Sequence, residues 1–436
     1  MPDPVDTPTV RLARDSIEVS ATSSSGRAPS VLIVSQHFWP EPLRINDVAA
    51  SLVEAGCQVT VLTGKPNYPH GRIFPGYRAL GVQKECREGA HVVRVPLVPR
   101  GRGTAWRLAI NYLSFVVCGC LLGPAALRRE RFDVVFVYGT SPILQAFVAI
   151  WLKTLRGVPV ITWVQDLWPE SLAMTGYIRN SLALRAVGHV VRWIYRHSDL
   201  VLVQSMAFLG AVRDQAQPTP VRYQPNPGER VTLDPDPPEA PVLTLKPGFR
   251  ILFAGNLGTV QALETVIEAA RLTGPASGIR WVLVGSGAKL AWLQEQIRAP
   301  GLEHVDVPGR IEANDMPGVL AQADALLVSL IGGPAMDLTV PSKVQTYLAA
   351  GKPILASIDG EGARVVKEAG AGLVCRAQDA QALADAAMQL QSMPNEQRLS
   401  LGRCGRDYYD KHFASELIAR QLIDHFRAVA RPTSCP

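Results

Sequence analysis

Residues 31–63 read VLIVSQHFWPEPLRINDVAASLVEAGCQVTVLT, and the hydrophobic pattern changes period twice within them. VLIVSQ (31–36) is a short unbroken apolar run, the pattern of a strand covered on both faces. INDVAASLVEAG (45–56) places Ile45, Val48, Leu52 and Val53 on one side of a helix, and Gly56 stands where such a helix closes. QVTVLT (58–63) returns to strand. A strand, helix and strand joined this closely form a right-handed crossover between parallel strands, so the chain belongs to the α/β class.

The alternation runs outward from there. FDVVFVYG (132–139), an apolar helix over 145–155, PVITWVQD (159–166), a long helix through Trp193 and DLVLVQS (199–205) complete one doubly wound lobe. It restarts with RILFAG (250–255), LETVIEAARL (263–272), RWVLVG (280–285), AKLAWLQEQIRA (288–299), HVDVPG (304–309), a helix from Asp315, DALLVSL (324–330), SKVQTYLAAG (342–351), PILASI (353–358) and GARVVKEAG (362–370). Between the two series, residues 217–248 hold nine of the chain's 34 prolines, as a linker does. The expected organisation is a disordered tail over 1–29, a Rossmann-like domain over 30–214, a Pro-rich linker over 215–248, a second Rossmann-like domain over 249–413, and a crossover helix and tail over 414–436. Two such lobes are expected to face each other across a cleft. Ligands in doubly wound sheets sit beyond the carboxyl ends of the strands.

Composition agrees with two domains of about 200 residues in the 436-residue chain. Hydrophobic residues make 47% and charged residues 19%, which excludes a small stapled scaffold and wholesale disorder. Forty-four Lys and Arg against 38 Asp and Glu leave +6, a mild excess compatible with phosphorylated small molecules or an anionic membrane surface and giving no reason to expect nucleic acid. The cysteines, Cys57, Cys86, Cys118, Cys120, Cys375, Cys404 and Cys435, show no CxxC spacing and read as thiols in a reducing compartment. The first 29 residues have no apolar core of a signal peptide, so the cytosolic side of a membrane is expected.

Residues 113–127, LSFVVCGCLLGPAAL, carry no charge and follow PRGRGTAWR (99–107). As a helix of about 22 Å, interrupted by Pro124, the segment is too short for a bilayer core of roughly 30 Å. Two readings stay open: a core helix, or an apolar face that dips into a leaflet while Arg100, Arg102 and Arg107 hold anionic headgroups.

The chemistry concentrates in PSKVQTYLAAGKP (341–353). Pro341 and Ser342 open a helix whose first amides lack partners, and Lys343 adds a full charge, together a site for a diphosphate or else a capped helix whose lysine points into water. In FAGNLG (253–258), Gly255, Asn256 and Gly258 form a turn that lets backbone approach a ligand. VGSGAK (284–289) offers Gly285 and Gly287, but Leu290 occupies the place of a third glycine and no dinucleotide fingerprint results. Arg310 lies in a GRI loop (309–311) able to present backbone to a base. On the first lobe, His37, Glu41, Asn67, Tyr68, Asp166 and Glu170 fall at or just after strand ends. Asp166 is the candidate for taking or orienting an acceptor proton, or is a cap of the helix announced by Trp168, Pro169 and Glu170. His37 polarises the acceptor or is a stacked structural residue.

These segments resemble the retaining sugar transferases of glycosyltransferase family 4, bacterial surface-polysaccharide branch, of colanic-acid and O-antigen type. SQHFWPEP (35–42), TGKPNYPHG (63–71), VQDLWPES (164–171) and QPNP (224–227) carry the resemblance in the first lobe; FAGNLG, LETVIEAA, VPSKVQTYLAAGKPI (340–354) and DGEGARVVKEAGAG (359–372) carry it in the second. It implies the GT-B architecture, with an acceptor-binding domain over 30–214 and a nucleotide-sugar donor-binding domain over 249–413, a nucleotide-diphosphate sugar as donor, retention of anomeric configuration, no cofactor and no metal, and a lipid-linked saccharide as acceptor at the inner membrane face. The chain departs from the pattern at four places. Asn256 and Gln261 stand where the family has an Arg and a Lys on the diphosphate, and Leu338 and Thr346 where it has a Glu-x7-Glu pair. Lys343 must then take more of the phosphate load, and Glu361 becomes the candidate for a sugar or ribose hydroxyl. DPD (234–236) looks like a metal-binding DxD but lacks a preceding strand and is not read as one. A nucleotide-sugar epimerase of the same architecture, or an inactive binding protein that kept it, are the alternative functions.

Overall fold

The computed structural model describes residues 27–141, 143–174, 180–229 and 243–430. Most of the expected tail, the middle of the proline-rich stretch with its DPD, and Cys435 lie outside these residues. Strands β1 (Ser30–Val34), β2 (Gln58–Gly64), β3 (Gln83–Arg87), β4 (Ala90–Val95), β5 (Val134–Gly139), β6 (Val160–Val164), β7 (Leu200–Val203) and β8 (Val221–Tyr223) form one sheet in the order β3-β4-β2-β1-β5-β6-β7-β8. All neighbours are parallel except β3 and β4. The second sheet, parallel throughout, comprises β9 (Phe249–Asn256), β10 (Ile279–Ser286), β11 (Val305–Gly309), β12 (Ala325–Ser329), β13 (Ile354–Ser357) and β14 (Gly372–Cys375), ordered β11-β10-β9-β12-β13-β14.

Helices α1 (Ile45–Glu54), α2 (Ala105–Ala126), α3 (Ala146–Arg156), α4 (Glu170–Met174), α5 (Ser181–His197) and α6 (Phe208–Ala216) cover the first sheet. The second carries α7 (Leu263–Thr273), α8 (Leu290–Gln296), α9 (Met316–Ala321), α10 (Pro334–Asp337), α11 (Ser342–Ala350), α12 (Gly360–Glu368), α13 (Ala380–Ser392) and α14 (Asn395–His412). Each sheet is buried on both faces, which gives each lobe two apolar layers: Val34, Leu62, Val135 and Phe115 on one side of the first sheet, Ile33, Val61, Phe136 and Trp163 on the other. Strand order reverses between β1 and β5 in the first lobe and between β9 and β12 in the second. The loops leaving those strands open the crevices where ligands of such sheets bind.

Three departures from the sequence reading have physical causes. First, β8 lies inside the stretch expected to be linker, so the first lobe runs past residue 214. It is a three-residue edge strand between prolines, and an edge is the place where a sheet tolerates them. Leu245 is likewise buried in the second lobe, and Gln322 brackets its backbone by accepting from Leu245 N–H and donating to Leu243 O, so 243–248 belongs to that lobe. Second, α2 has 22 residues and continues through Pro124, a length of about 33 Å. Proline lacks the N–H that would bond the carbonyl four residues earlier, and that carbonyl, on Cys120, instead accepts the Trp151 indole N–H from α3 at 3.1 Å. Third, the β3–β4 hairpin carries little hydrophobic signal because β3 is an edge strand of alternating polar residues, QKECR.

Helix α15 (Ser415–Val429) follows α14 on the second lobe yet buries Ile418, Leu422, Ile423 and Phe426 against the first, with Phe426 edge-on to Phe136 at 5.2 Å. The lobes also meet at Gln345 of α11. Its amide oxygen accepts from Arg44 at 3.1 Å and its amide nitrogen donates to Asn226 O at 2.9 Å. Leu338, just beyond α10, packs onto the first lobe's core.

Candidate active site

Helix α11 is held against β9 by Tyr347, whose hydroxyl accepts from Ala254 N–H at 2.9 Å and donates to Ala254 O at 3.3 Å. That fixes the helix start beside the loop leaving β9. Ser342 and Lys343 are the first two helical residues, and their amides find no backbone acceptor among the described residues. Pro341 holds the N-cap position, Ser342 is the first helical residue, and the Ser342 carbonyl accepts the Thr346 hydroxyl at 3.1 Å. Thr346 is thereby turned back onto its own helix and is a weaker donor-site candidate than its position suggests.

Lys343 reaches back over the β9 loop. Its Nζ donates to Gln261 Oε1 at 2.6 Å and stands 4.3 Å above the ring of buried Phe253, and no carboxylate is within ion-pair distance among the described residues. Burial without a counter-charge lowers its pKa from the ordinary lysine value to about 8. Gly255 is required by the approach: its φ is +134°, and a methyl there would stand 2.9 Å from Lys343 Cε. Gly285 is tighter still, since a methyl would lie 1.7 Å from Gly255 O. Asn256 is exposed beside Gly258 and Gly287, where its amide leaves no space for a methyl on either glycine.

Two further donor-side candidates have partners of their own. Glu361 is buried, and its Oε2 accepts from Arg364 Nε at 2.8 Å at the start of α12; the partner four residues on, Glu368, completes a local ion-pair cluster. Its Oε1 has no hydrogen-bond partner among the described residues. Arg310 is largely exposed, with Glu312 3.5 Å away.

On the first lobe the expected residues converge, in roles that their spacing alone did not show. Glu41 is sealed, and all its capacity is used within the lobe: Oε1 accepts from the amides of Asn67 and Tyr68, each at 2.7 Å, and Oε2 holds His37 Nδ1 at 2.9 Å. Asn67 is equally consumed, donating to Lys65 O and accepting from Arg100 N–H at 3.1 Å. Both are positioning residues for the loops after β1 and β2, not acceptor contacts. What they leave at the crevice is His37, whose Nε2 has no partner among the described residues, and the half-buried ring of Tyr68 under the Arg100 guanidinium. Asp166, after β6, does not cap α4. Its Oδ2 accepts from the Ser141 amide and hydroxyl at 3.1 and 3.0 Å, and Trp168 Nε1 donates to the same hydroxyl. Asp166 thus ties the loops after β5 and β6 together and keeps its second oxygen unbonded among the described residues. Strands β1 and β6 are two apart, which separates His37 from Asp166 by roughly 10 Å along the sheet. Glu170 opens α4 and is exposed.

Gln345, Ser141, Asn111 and Gln36 belong to this architecture and were missed. Gln36 donates its backbone N–H to Gln145 Oε1 at 2.5 Å and its side-chain Nε2 to Asn111 Oδ1 at 2.7 Å, a buried polar layer under the β1 loop. A glutamine on the apolar face of α11, between Val344 and Tyr347, was the readable signal for one of them.

Two facing doubly wound lobes, with an amide-lined helix start and a partly buried lysine at the crevice of the second, make the GT-B architecture. Residues 43–227 match the family model of a glycosyl transferase 4-like domain, and residues 248–392 that of glycosyl transferases group 1; the chain belongs to these glycosyltransferases. It is 25% identical over 419 residues to the putative colanic acid biosynthesis glycosyl transferase WcaI of Escherichia coli K12, covering 91% of this chain and 99% of the relative. Similar solved structures include sucrose-phosphate synthase from Thermosynechococcus elongatus (TM-score 0.64, 19% identity, 92% of this chain and 99% of that one). Anabaena HepE in complex with UDP is similar to the same degree (TM-score 0.64, 14% identity, 92% and 100%).

Proposed function

We propose that the protein transfers a sugar, with retention, from a nucleoside-diphosphate sugar to a lipid-linked saccharide at the cytoplasmic membrane face, in building a surface polysaccharide. The reading is carried by Lys343. A partly buried ammonium whose described partners are an amide oxygen and an aromatic ring lacks a counter-charge, and it stands at a helix start whose free amides also favour an anion. A diphosphate satisfies both. Lys343 Nζ touches Gln261, the position where the family pattern places its own lysine, so the cation is supplied from α11 in place of the β9 loop. In this reading the charge on the leaving group is met by Lys343 and the α11 amides, and no metal or cofactor is assigned a part.

The sugar C1–oxygen bond to the diphosphate breaks while the acceptor hydroxyl oxygen bonds to C1 on the same face. The hydroxyl proton passes to a phosphate oxygen of the leaving group. His37, with Nδ1 held by Glu41, presents Nε2 to orient that hydroxyl, and Asp166 carries the remaining carboxylate of the acceptor side. The resemblance to a colanic-acid transferase and to a UDP-bound fold supports the substrate class.

Lys343→Ala is expected to weaken donor binding by about 1.5 to 3 kcal/mol, the scale of a charged hydrogen bond. The measurement is calorimetric titration with a panel of UDP and GDP sugars, using the sugar that raises the melting temperature of the native protein. Native affinity in the variant rejects the reading.

A further inference from the structure

On α2, Trp106, Ile110, Leu113, Val117 and Leu121 recur at helical spacing and are 42 to 71% exposed. Trp151 and Leu155 of α3 extend this stripe sideways, with Trp151 bonded to the α2 backbone at Cys120. The opposite face of α2 is fastened to the lobe: Leu108, Asn111, Phe115, Gly119 and Gly123 are buried, and a methyl on Gly119 would come within 2.8 Å of Val148. A helix apolar on an outward stripe and docked on the other side cannot cross a bilayer without leaving its lobe, although its length would suffice.

Charge brackets the stripe at both ends. Arg100, Arg102 and Arg107 precede or open α2, and Arg128, Arg129 and Arg131 follow it. None of the six is ion-paired to a described residue. Glu130 is the lone acid among them, and it is engaged by Thr60 and Lys84.

We infer that α2 lies in the plane of an anionic bilayer, its stripe among the acyl chains and its two arginine clusters on the headgroups. Pairing with a second copy of the chain is disfavoured, because stripe-on-stripe contact brings arginine clusters against arginine clusters in either direction. Anionic lipid offers an apolar layer and negative charge at the same depth, which matches the pattern. The buried face of the same helix supplies Asn111, which donates to Val98 O at 2.6 Å and accepts from Gln36 beneath the β1 loop. The surface that meets lipid and the floor of the acceptor side are therefore two faces of one rigid element. Only this last consequence rests on the sugar-transfer reading.

The test is co-sedimentation of the full chain with phosphatidylglycerol vesicles and with phosphatidylcholine vesicles, without sugar, together with quenching of tryptophan emission by brominated acyl chains. Binding to phosphatidylglycerol, weakened by salt, with quenching, is expected. Leu113→Glu/Leu121→Glu should reduce binding at least about tenfold. Arg102→Ser/Arg128→Ser/Arg129→Ser should reduce it about a hundredfold, three charges at about 1 kcal/mol apiece. All five positions are exposed, and an unchanged melting temperature checks that the variants fold. Equal binding to both lipids, native binding by either variant, or a dimer that the leucine variants dissolve would overturn the inference. Donor hydrolysis measured in the same preparations keeps a failure of lipid binding separate from a failure of the proposed activity.

Discussion

At Lys343 a single side chain sets a pH dependence. With its pKa near 8 in the free protein, the lysine is charged below that pH and loses its proton as the pH rises through it. A bound diphosphate favours the charged form, so its pKa in the complex is higher. Donor affinity is then expected to be flat below pH 8 and to fall above it, by up to about tenfold per pH unit until the pKa of the complex is reached. Titrations in buffers of different ionisation enthalpy should show proton uptake on binding near pH 8.5 or so, on the order of half a proton. Lys343→Arg should abolish the slope, because a guanidinium stays charged throughout. A slope unchanged in that variant assigns the titration to another group. The motif PSKV drew attention to Lys343 in the sequence, whereas the low pKa depends on Phe253, Gln261 and Gly255 closing around it, and none of these is near it in the chain. Glu361 is the converse case. Its loop position was readable, but its pairing with Arg364 one turn along is fixed by side-chain geometry.

Among the elements, β9 and β10 meet at their carboxyl ends through two glycines. Gly255 and Gly285 are directly paired in register, both with positive φ, and neither has space for a methyl. Gly285→Ala would have to move the backbone of β9 in addition to adopting a conformation that alanine avoids, and a loss of roughly 2 to 4 kcal/mol in stability is expected from urea unfolding. A loss below 1 kcal/mol, within the ordinary range of surface substitutions, would show that the loop yields easily. In α2 the same logic acts on a proline. The helix was underestimated from sequence at its start, because the charge-free run opens at Leu113 whereas the helix opens at Ala105; nor does Pro124 end it, since Trp151 satisfies the carbonyl it orphans, and Arg156 and Lys84 donate to Pro124 O and Ala126 O at the helix end. The partners lie on α3 and on β3, so only packing could disclose them.

In the whole molecule the chain crosses between lobes twice, and the return matters for stability. Helix α15 buries four large apolar side chains on the first lobe, worth roughly 6 to 12 kcal/mol at about 1.5 to 3 each. That is comparable with the entire stability of a typical domain. Ending the chain after Phe413 should therefore unfold the first lobe while leaving the second intact, which hydrogen exchange resolves lobe by lobe. Protection in β1 and β5 equal to that of the full chain would contradict this. Gln345 joins the lobes on the same helix that carries Lys343, so the proposed diphosphate site and the lobe contact stand two residues apart.

What the amino-acid order settled by itself was local and repetitive: apolar runs and 3.6-residue periods define the strands and helices, and their alternation defines two doubly wound lobes, because burial on both faces of a sheet imposes that pattern on consecutive residues. The assignment of work within the crevice was decided only by the fold. Glu41 and His37 are four residues apart, but their pairing with the Asn67 and Tyr68 amides needs β1 beside β2, and Asp166 meets Ser141 only because β5 lies beside β6. A hydrogen bond is a contact over about 3 Å between groups that the chain separates by tens of residues. Spacing in sequence carries no record of which donor reaches which acceptor until the strands are set in order.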